Sequence, residues 1–291
     1  MPPLFAPFAV DFFTRALTGG LLVAVICGVV GTWVVIRGMA FLGEAIGHGM
    51  LPGVALATVT GAPVLIGAAL SAGVMSAAIG LLQRRGRLSY DTSIGLLFVA
   101  MLSVGVIIVS HSRSFATDAT ALLFGDILAI GTDDIIFLLV GALVTVCVTA
   151  AFHRAFVAAA FDTRIARTLG LRPPFANVVL VALVTLAVVA SFQAVGTLLV
   201  VGLLLAPAVA ARAWTTRIPA TMLCAIAFGA AAVFLGLLAS WHFATAAGAS
   251  IGAAAVLLAA CSAPLRTLLS RAARHRVRHE HVSQLPLERT R

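Results

Sequence analysis

Long apolar runs, separated by short polar segments with glycine, proline or arginine, make up most of this 291-residue chain. A helix needs about 20 consecutive apolar residues to cross the hydrocarbon core of a membrane. The apolar stretch Val178–Ala211 is too long for one crossing at about 1.5 Å per residue, so we divide it at Gln193–Gly196. The pattern then predicts nine spans, at 14–36, 39–59, 62–82, 93–110, 133–152, 175–192, 195–213, 219–239 and 248–267.

These runs predict an all-α fold, a polytopic transmembrane helical bundle with eight or nine spans, depending on that division. Apolar residues make up 62% of the chain and charged residues only 10%, with a mean hydropathy of +1.13. Soluble domains are about 45–50% apolar and about 25% charged. The composition therefore excludes a water-soluble globule, and it also excludes a disordered chain.

The formal charge is +9, and every basic residue is arginine. The arginines cluster in four segments, 83–92, 153–174, 212–218 and the chain from Arg266 onward. Nine crossings place all four on one side, which the positive-inside rule assigns to the cytoplasm, with the N-terminus outside. Arginine in this arrangement orients a membrane protein and does not indicate binding to nucleic acid.

Two segments differ from the simple alternation of spans and loops. The apolar run within residues 111–132 is too short to span the membrane, but the segment is too apolar for a plain loop. This pattern predicts a short interfacial or re-entrant helix. Residues 271–291 form a basic cytoplasmic tail, expected to contact anionic lipid, after a transmembrane domain at 1–270. The tail contains His275, His279 and His281.

One carboxylate, Glu44, lies well inside an apolar run, where a charge is costly and indicates function by default. His48 follows at i+4, so both side chains share one helix face. An imidazole and a carboxylate are ligands that suit Zn²⁺, Mn²⁺ or Fe²⁺. The alternatives are a structural Glu–His hydrogen bond, a proton-coupled secondary divalent-cation transporter, and an intramembrane metalloenzyme, which would need further ligands.

Other candidate chemistry is sparse. His242, predicted in the outward loop 240–247, is the second candidate metal ligand. A Walker A motif needs a lysine, and the chain has none, so we do not expect this polypeptide to hydrolyse ATP. No arrangement of side chains predicts a catalytic residue outside the membrane, and the chain is not expected to be an enzyme.

Several motifs, in order, resemble the permease subunits of bacterial ABC importers for zinc, manganese and iron. The segment Phe41–His48, followed by Leu51–Gly53, is similar to the second-helix run Phe-Leu-Gly-Asp-Ala-x-Ser-His with Pro-Gly shortly after. The resemblance covers roughly residues 10–265. Its other parts are Asp91–Gly95, Leu123–Leu128, Phe161–Gly170, Gln193–Gly196 and Leu205–Ala208.

The resemblance implies a multi-pass permease of the bacterial plasma membrane, which is the inner membrane in bacteria that have two membranes. It also implies a homodimer, a separate cytoplasmic ABC ATPase that binds ATP, and an extracytoplasmic metal-binding protein. No cofactor would be held permanently, and the divalent metal is the cargo. The segment that would contact the ATPase includes Phe161, Asp162, Arg164, Arg167 and Gly170.

This sequence departs from the family pattern at three positions. Glu44 replaces an aspartate, and Gly47 replaces a serine. Ala244 stands where many relatives have an acidic residue before the last helix, and it cannot bind a metal. His242 is the only metal-binding side chain in that run, which would favour nitrogen ligands and zinc as the most expected cargo, with manganese or iron as alternatives.

Overall fold

The computed structural model describes residues 10–84, 89–111, 125–161, 168 and 172–283, with the backbone alone at 84, 111 and 267–283. These residues form α-helices and one short 3₁₀ helix at Ile127–Ala129, and the described part of the chain contains no strand. The all-α prediction is therefore confirmed. The α-helices are α1 Asp11–Ile36, α2 Ala40–Gly49, α3 Leu51–Thr60, α4 Val64–Arg84, α5 Tyr90–His111, α6 Thr132–Phe161, α7 Pro173–Trp214, α8 Ile218–Phe243 and α9 Ala247–Ser283.

Helices α2 and α3 together make one crossing. Met50, between them, keeps right-handed helical angles of φ −77° and ψ −22°, and Pro52 occupies the first turn of α3, where a missing N–H is tolerated. Counting Ala40–Thr60 as one segment, the described residues contain eight helical segments long and apolar enough to cross a membrane. The predicted polytopic bundle is confirmed.

The longest of these segments, α7, reverses direction at Gly196. Gly196 has φ 72° and ψ 166°, which no helix contains. Arg37 donates a hydrogen bond to Asn177 Oδ1 near the start of α7 (2.8 Å), and Arg212 near its end donates one to the Val35 carbonyl (3.4 Å). Both ends of α7 therefore lie beside the C-terminal end of α1. The two halves make two crossings, which brings the number of crossings in the described chain to nine.

The arginines separate the two ends of the bundle. Arg15 lies near the N-terminal end of α1, and the other described arginine side chains lie at the opposite end, which we call the arginine-rich end. The second group comprises Arg37, Arg154, Arg172, Arg212, Arg217 and Arg266. The positive-inside rule assigns the arginine-rich end to the cytoplasm.

Residues 125–131 enter the bundle from the end opposite the arginines. Ile127 and Ile130 are buried, with 1% and 5% of their surface exposed, and they pack on Gly20 and Gly19 of α1. Gly20 lies about 14 Å from the start of α1 at 1.5 Å per residue. The described part of the predicted segment 111–132 therefore packs inside the bundle against α1, and positions 112–124 lie outside the described residues.

Two helices extend beyond the predicted membrane spans. Helix α6 extends to Phe161, beyond the predicted end of the span at 152, because positions 153–161 contain no glycine or proline to end a helix. Helix α9 likewise continues to Ser283, so the tail predicted to begin at 271 starts within a continuous helix. His242 was predicted in a loop and lies instead in the last turn of α8.

Glycine brings the helix backbones into direct contact. A Cβ placed on Gly31 of α1 would collide with the Leu204 carbonyl oxygen of α7, and one on Gly53 would collide with the Gly67 carbonyl oxygen of α4. In a membrane, helices associate through close van der Waals packing, so small residues mark their interfaces. These contacts fix α1 against α7 and the second crossing against α4.

The reversal at Gly196 gives the first prediction. Gly196→Ala should lower the free energy of unfolding by about 1–3 kcal/mol, because this backbone conformation is essentially restricted to glycine. Gly202→Ala is the matched control on the same helix, since a Cβ there meets no heavy atom within 4 Å. Thermal unfolding in detergent micelles measures both, and equal unfolding temperatures for the two variants would contradict the assignment.

A carboxylate and imidazole pair in the second crossing

Glu44 and His48 lie on α2, in the half of the second crossing nearer the arginine-rich end. His48 is nine residues from Met39, which is about 14 Å along the helix axis and close to the middle of a membrane. Positions 40–49 contain no proline and start from a turn at Gly38, whose φ is 66°. The continuous helix places the two side chains one turn apart on the same face, as the sequence predicted.

The two side chains are in contact. His48 Nδ1 lies 3.2 Å from Glu44 Oε1 and also 3.2 Å from the Glu44 backbone carbonyl oxygen. A protonated Nδ1 donates a hydrogen bond at this distance. The ring of Phe98, on α5, packs edge-on against the His48 ring at 5.3 Å between centroids. The histidine ring is therefore held on one side by Glu44 and on another by an aromatic ring.

The same distance fits two ligands of one metal ion. Bonds of about 2.1 Å from a metal to an imidazole nitrogen and a carboxylate oxygen, at an angle between 90° and 109°, separate the ligand atoms by about 3.0–3.4 Å. A proton and a divalent cation can thus occupy the same gap alternately. No third His, Cys, Asp or Glu joins the pair among residues 10–84, 89–111, 125–161 and 172–266. On its own, the pair could supply only part of a coordination shell.

The pair is partly accessible at the surface of the single chain. The side chains of His48 and Glu44 are 20% and 28% exposed, and Phe41, one turn before Glu44, is 44% exposed. Leu51, about one turn after His48, is partly exposed as well. These positions form one stripe along the second crossing, which we call the acidic stripe. The opposite face of α2 is buried, including Leu42, Ala45 and Ile46.

Small residues leave space beside the pair. A Cβ on Gly47 would meet Thr197 of α7 at 3.6 Å, an ordinary contact, so the absence of the family's serine there does not result from crowding. Further along, a Cβ on Gly49 would collide with the flexible Met75 side chain, and Ser71 donates a hydrogen bond to the Gly49 carbonyl oxygen at 2.7 Å. The second crossing is therefore held tightly against α4 below the site and loosely at Gly47.

His242 lies at a different depth. Its neighbour Trp241 contacts the rings of Phe12 and Phe13 at 6.5 and 6.1 Å between centroids, at the start of α1 and the end opposite the arginines. His242 is exposed, and its Nδ1 lies 2.9 Å from the Leu238 carbonyl oxygen. The structure brings Glu44 and His48 together and does not bring His242 to them within the single chain.

Of the residues predicted to contact an ATPase, Phe161 is described. It ends α6 at the arginine-rich end, and 77% of its surface is exposed. Asp162, Arg164, Arg167 and Gly170 lie outside the described residues.

Sequence reasoning missed Phe98 and Thr197, the neighbours of the site from α5 and α7. Neither has a chemical signature of its own. The sequence signal that could have indicated Phe98 is its position seven residues after Asp91, about 11 Å along α5, which puts it near the level of the pair.

Comparisons with known proteins agree with this architecture. Residues 9–264 match the ABC 3 transport family. The chain is 34% identical over 248 residues to the "Manganese transport system membrane protein MntC" of Listeria monocytogenes, covering 85% of this chain and 88% of that protein. It is 33% identical over 247 residues to the "Chelated iron transport system membrane protein YfeD" of Yersinia pestis, covering 84% and 82%. The solved structure of PsaBC from Streptococcus pneumoniae in complex with Fab superposes with a TM-score of 0.77 at 31% identity, covering 87% of this chain and 91% of that one.

The fold and the intramembrane pair define a multi-pass transport protein of the plasma membrane. The chain belongs to the ABC 3 transport family. The resemblance to permease subunits of bacterial metal-ion ABC importers is thereby confirmed.

The glycines around the pair give the second prediction. Gly47→Ala should change the free energy of unfolding by no more than about 0.5 kcal/mol, as expected away from crowded positions. Gly53→Ala should destabilise by about 1–3 kcal/mol, because its Cβ collides with the α4 backbone, which cannot rotate away. Thermal unfolding in detergent separates the two. A tolerated Gly53→Ala would show that α3 and α4 are further apart than the structure has them.

Proposed function

We propose that this chain is the membrane-spanning permease subunit of an ATP-driven importer and that it moves a divalent transition metal past Glu44 and His48. The observation that carries the proposal is a carboxylate oxygen and an imidazole nitrogen 3.2 Å apart at membrane depth. The matched relatives are named as manganese and iron transport proteins, which supports a metal ion as the cargo.

The acidic stripe supports a path on this face of the chain. A carboxylate at the middle of a membrane is costly against lipid, and such residues face a water-filled cavity or another protein surface. Glu44 is 28% exposed in the single chain, so this face needs cover. We propose that a second copy of the chain provides it, and that the two copies form the homodimer that the resemblance implies.

A second copy would also complete the metal shell. Glu44 and His48 supply two ligands, and four or more are usual for transition metals. Two copies facing each other across a twofold axis would supply four, with water at further positions. An ion that must also leave is better served by such a shared shell than by a closed site within one chain.

Exchange of a proton for the ion gives the pair a working cycle. With Nδ1 protonated, the gap between His48 and Glu44 is closed by a hydrogen bond. An arriving cation would bind Nδ1 and the carboxylate oxygen, and the proton would move to Nε2 of the same ring, because the ligand nitrogen must be deprotonated. Separation of the two copies would then remove half of the ligands and release the ion.

The driving force would come from other subunits. We propose a separate cytoplasmic ABC ATPase that binds ATP, and an extracytoplasmic metal-binding protein that delivers the ion. Phe161 supports the first contact, since it is a large apolar side chain with 77% of its surface exposed at the arginine-rich end. The contact would continue through Asp162, Arg164, Arg167 and Gly170. Closure of the ATPases would then switch access to the pair.

The identity of the metal depends on the ligand set. Zinc was expected from the sequence because His242 would add a nitrogen ligand. Within one chain, however, Trp241 contacts the start of α1, whereas His48 lies near mid-membrane. That argument for zinc is therefore weak, and the names of the relatives favour manganese or iron. We propose manganese or ferrous iron first and zinc second.

Metal uptake tests the proposed function. In proteoliposomes with the ATPase and the binding protein, Glu44→Gln and His48→Ala should each reduce uptake at least tenfold, because each removes one ligand. Glu44→Asp restores the carboxylate and should recover much of the activity. Binding of the ATPase, measured in the same preparations, should be unchanged.

The control variant is Gln193→Ala, which removes a polar side chain at the reversal of α7, away from the pair, and should retain uptake. Full uptake in both Glu44→Gln and His48→Ala would contradict the role of the pair. Uptake that persists without ATP and follows a pH gradient would instead indicate the proton-coupled secondary transporter.

Uptake of each metal on its own identifies the cargo. Radioactive manganese or ferrous iron should accumulate faster than zinc, although zinc should inhibit both, because nitrogen and oxygen ligands bind zinc more tightly than manganese. Faster accumulation of zinc, lost in His242→Ala, would restore the zinc assignment and include His242 in the path.

A further inference from the structure

A cavity of about 580 Å³ lies between α4 and α7 at the arginine-rich end of the bundle. Ser76 of α4 and Thr185 of α7 share a hydrogen bond of 2.6 Å, which joins the two helices at the inner limit of the cavity. From there the cavity follows α4 towards Gln83 and α7 towards Pro174. It thus lies in the half of the membrane that the positive-inside rule assigns to the cytoplasmic leaflet.

The walls of the cavity are mainly apolar, with Ile79, Leu81, Val178 and Val181 among the lining residues. No carboxylate is among the described residues that line it. A divalent cation would find no charged ligand there, so the cavity is unsuited to the cargo proposed above. An apolar chain fits these walls, because contact with them removes no polar group from water.

Nitrogen donors gather at the polar end of the cavity. Asn177 lines it and accepts a hydrogen bond from Arg37 Nη2 through Oδ1, and its amide nitrogen donates to no acceptor in the described part of the chain. Gln83 also lines it, and its side chain interacts with the Tyr90 hydroxyl group, while its buried Nε2 has no acceptor at full hydrogen-bond geometry among the described residues. The charged side chain in contact with Asn177 is the guanidinium of Arg37.

Arg37 is partly desolvated at this position. Burial lowers the pKa of its guanidinium, and the nearby Tyr90 raises it. An arginine stays protonated in proteins, so burial leaves a charge short of a counter-ion. No Asp or Glu forms an ion pair with Arg37 in the described part of the chain. A phosphate oxygen suits the planar guanidinium, which can bind it with two hydrogen bonds.

We propose that this cavity binds an anionic phospholipid of the cytoplasmic leaflet, with an acyl chain between α4 and α7 and the phosphate beside Arg37, Asn177 and Gln83. Apolar walls and a cationic, donor-rich end match the two parts of such a lipid. The site is separate from Glu44 and His48 and stands independently of the proposed metal transport.

Native mass spectrometry of the full chain, released from detergent with phosphatidylglycerol or phosphatidylcholine, tests the proposal. Phosphatidylglycerol should be retained at least tenfold more than phosphatidylcholine. Arg37→Gln should abolish this preference, and the control Arg217→Gln, which removes an exposed arginine at the same end, should keep it.

A second variant tests the acyl chain and does not depend on Arg37. A Cβ on Gly80 meets no heavy atom within 4 Å, and Gly80 lines the cavity, so Gly80→Leu should extend a side chain into the space of the acyl chain and reduce lipid retention at least tenfold. Gly73→Leu is the matched control on the same helix, at another open position outside the cavity.

Three results would overturn the proposal. The first is unchanged phosphatidylglycerol retention in both Arg37→Gln and Gly80→Leu. The second is displacement of the lipid by soluble glycerol phosphate at equal concentration, which would make this a headgroup site without an acyl chain. The third is a dimer of the wild-type chain that contains no lipid and that falls apart into single chains in Gly80→Leu. This result would make the cavity an interface between copies.

Discussion

Direct contact between helix backbones, made possible by glycine, holds this bundle together. Lipid is as apolar as the helix surfaces, so burial of apolar side chains gives little preference for one helix neighbour over another. Close approach at Gly31 against Leu204 and at Gly53 against Gly67 supplies that preference. The first contact fixes α1 against the second half of α7, and the second fixes the crossing that carries Glu44 and His48 against α4. The position of the polar pair depends on both.

The second crossing is consequently asymmetric. Its buried face is packed tightly below His48, where Ser71 and Met75 of α4 reach Gly49. Its other face carries the acidic stripe. Among the described aromatic pairs, only Phe98 contacts the His48 ring. The tightly packed buried face would hold the proposed ligands Glu44 and His48 at a constant spacing. Their accessible face would meanwhile allow the surface of the proposed second copy to move. The same design explains why a short run of glycines surrounds the only intramembrane carboxylate predicted from the sequence.

The amino-acid pattern predicted eight or nine crossings and placed Glu44 and His48 on one helix face, because both features depend on local spacing. The length of Val178–Ala211 required a division, and the helix does reverse at Gly196. The ends of α6 and α9 were not predictable from hydropathy, since arginine, histidine and alanine continue a helix beyond the membrane. The neighbours Phe98 and Thr197, the depth of His242 and the cavity beside Arg37 arise from packing between distant segments, which spacing along one helix does not record.

Electron spin echo spectroscopy of the manganese-loaded chain detects whether a metal ion binds between Glu44 and His48, as proposed. With nitrogen-15 histidine, we expect a hyperfine coupling to an imidazole nitrogen that disappears in His48→Ala and persists in His242→Ala. Loss of the coupling in His242→Ala, with its retention in His48→Ala, would rule out this site and place the metal at the outer end of the bundle.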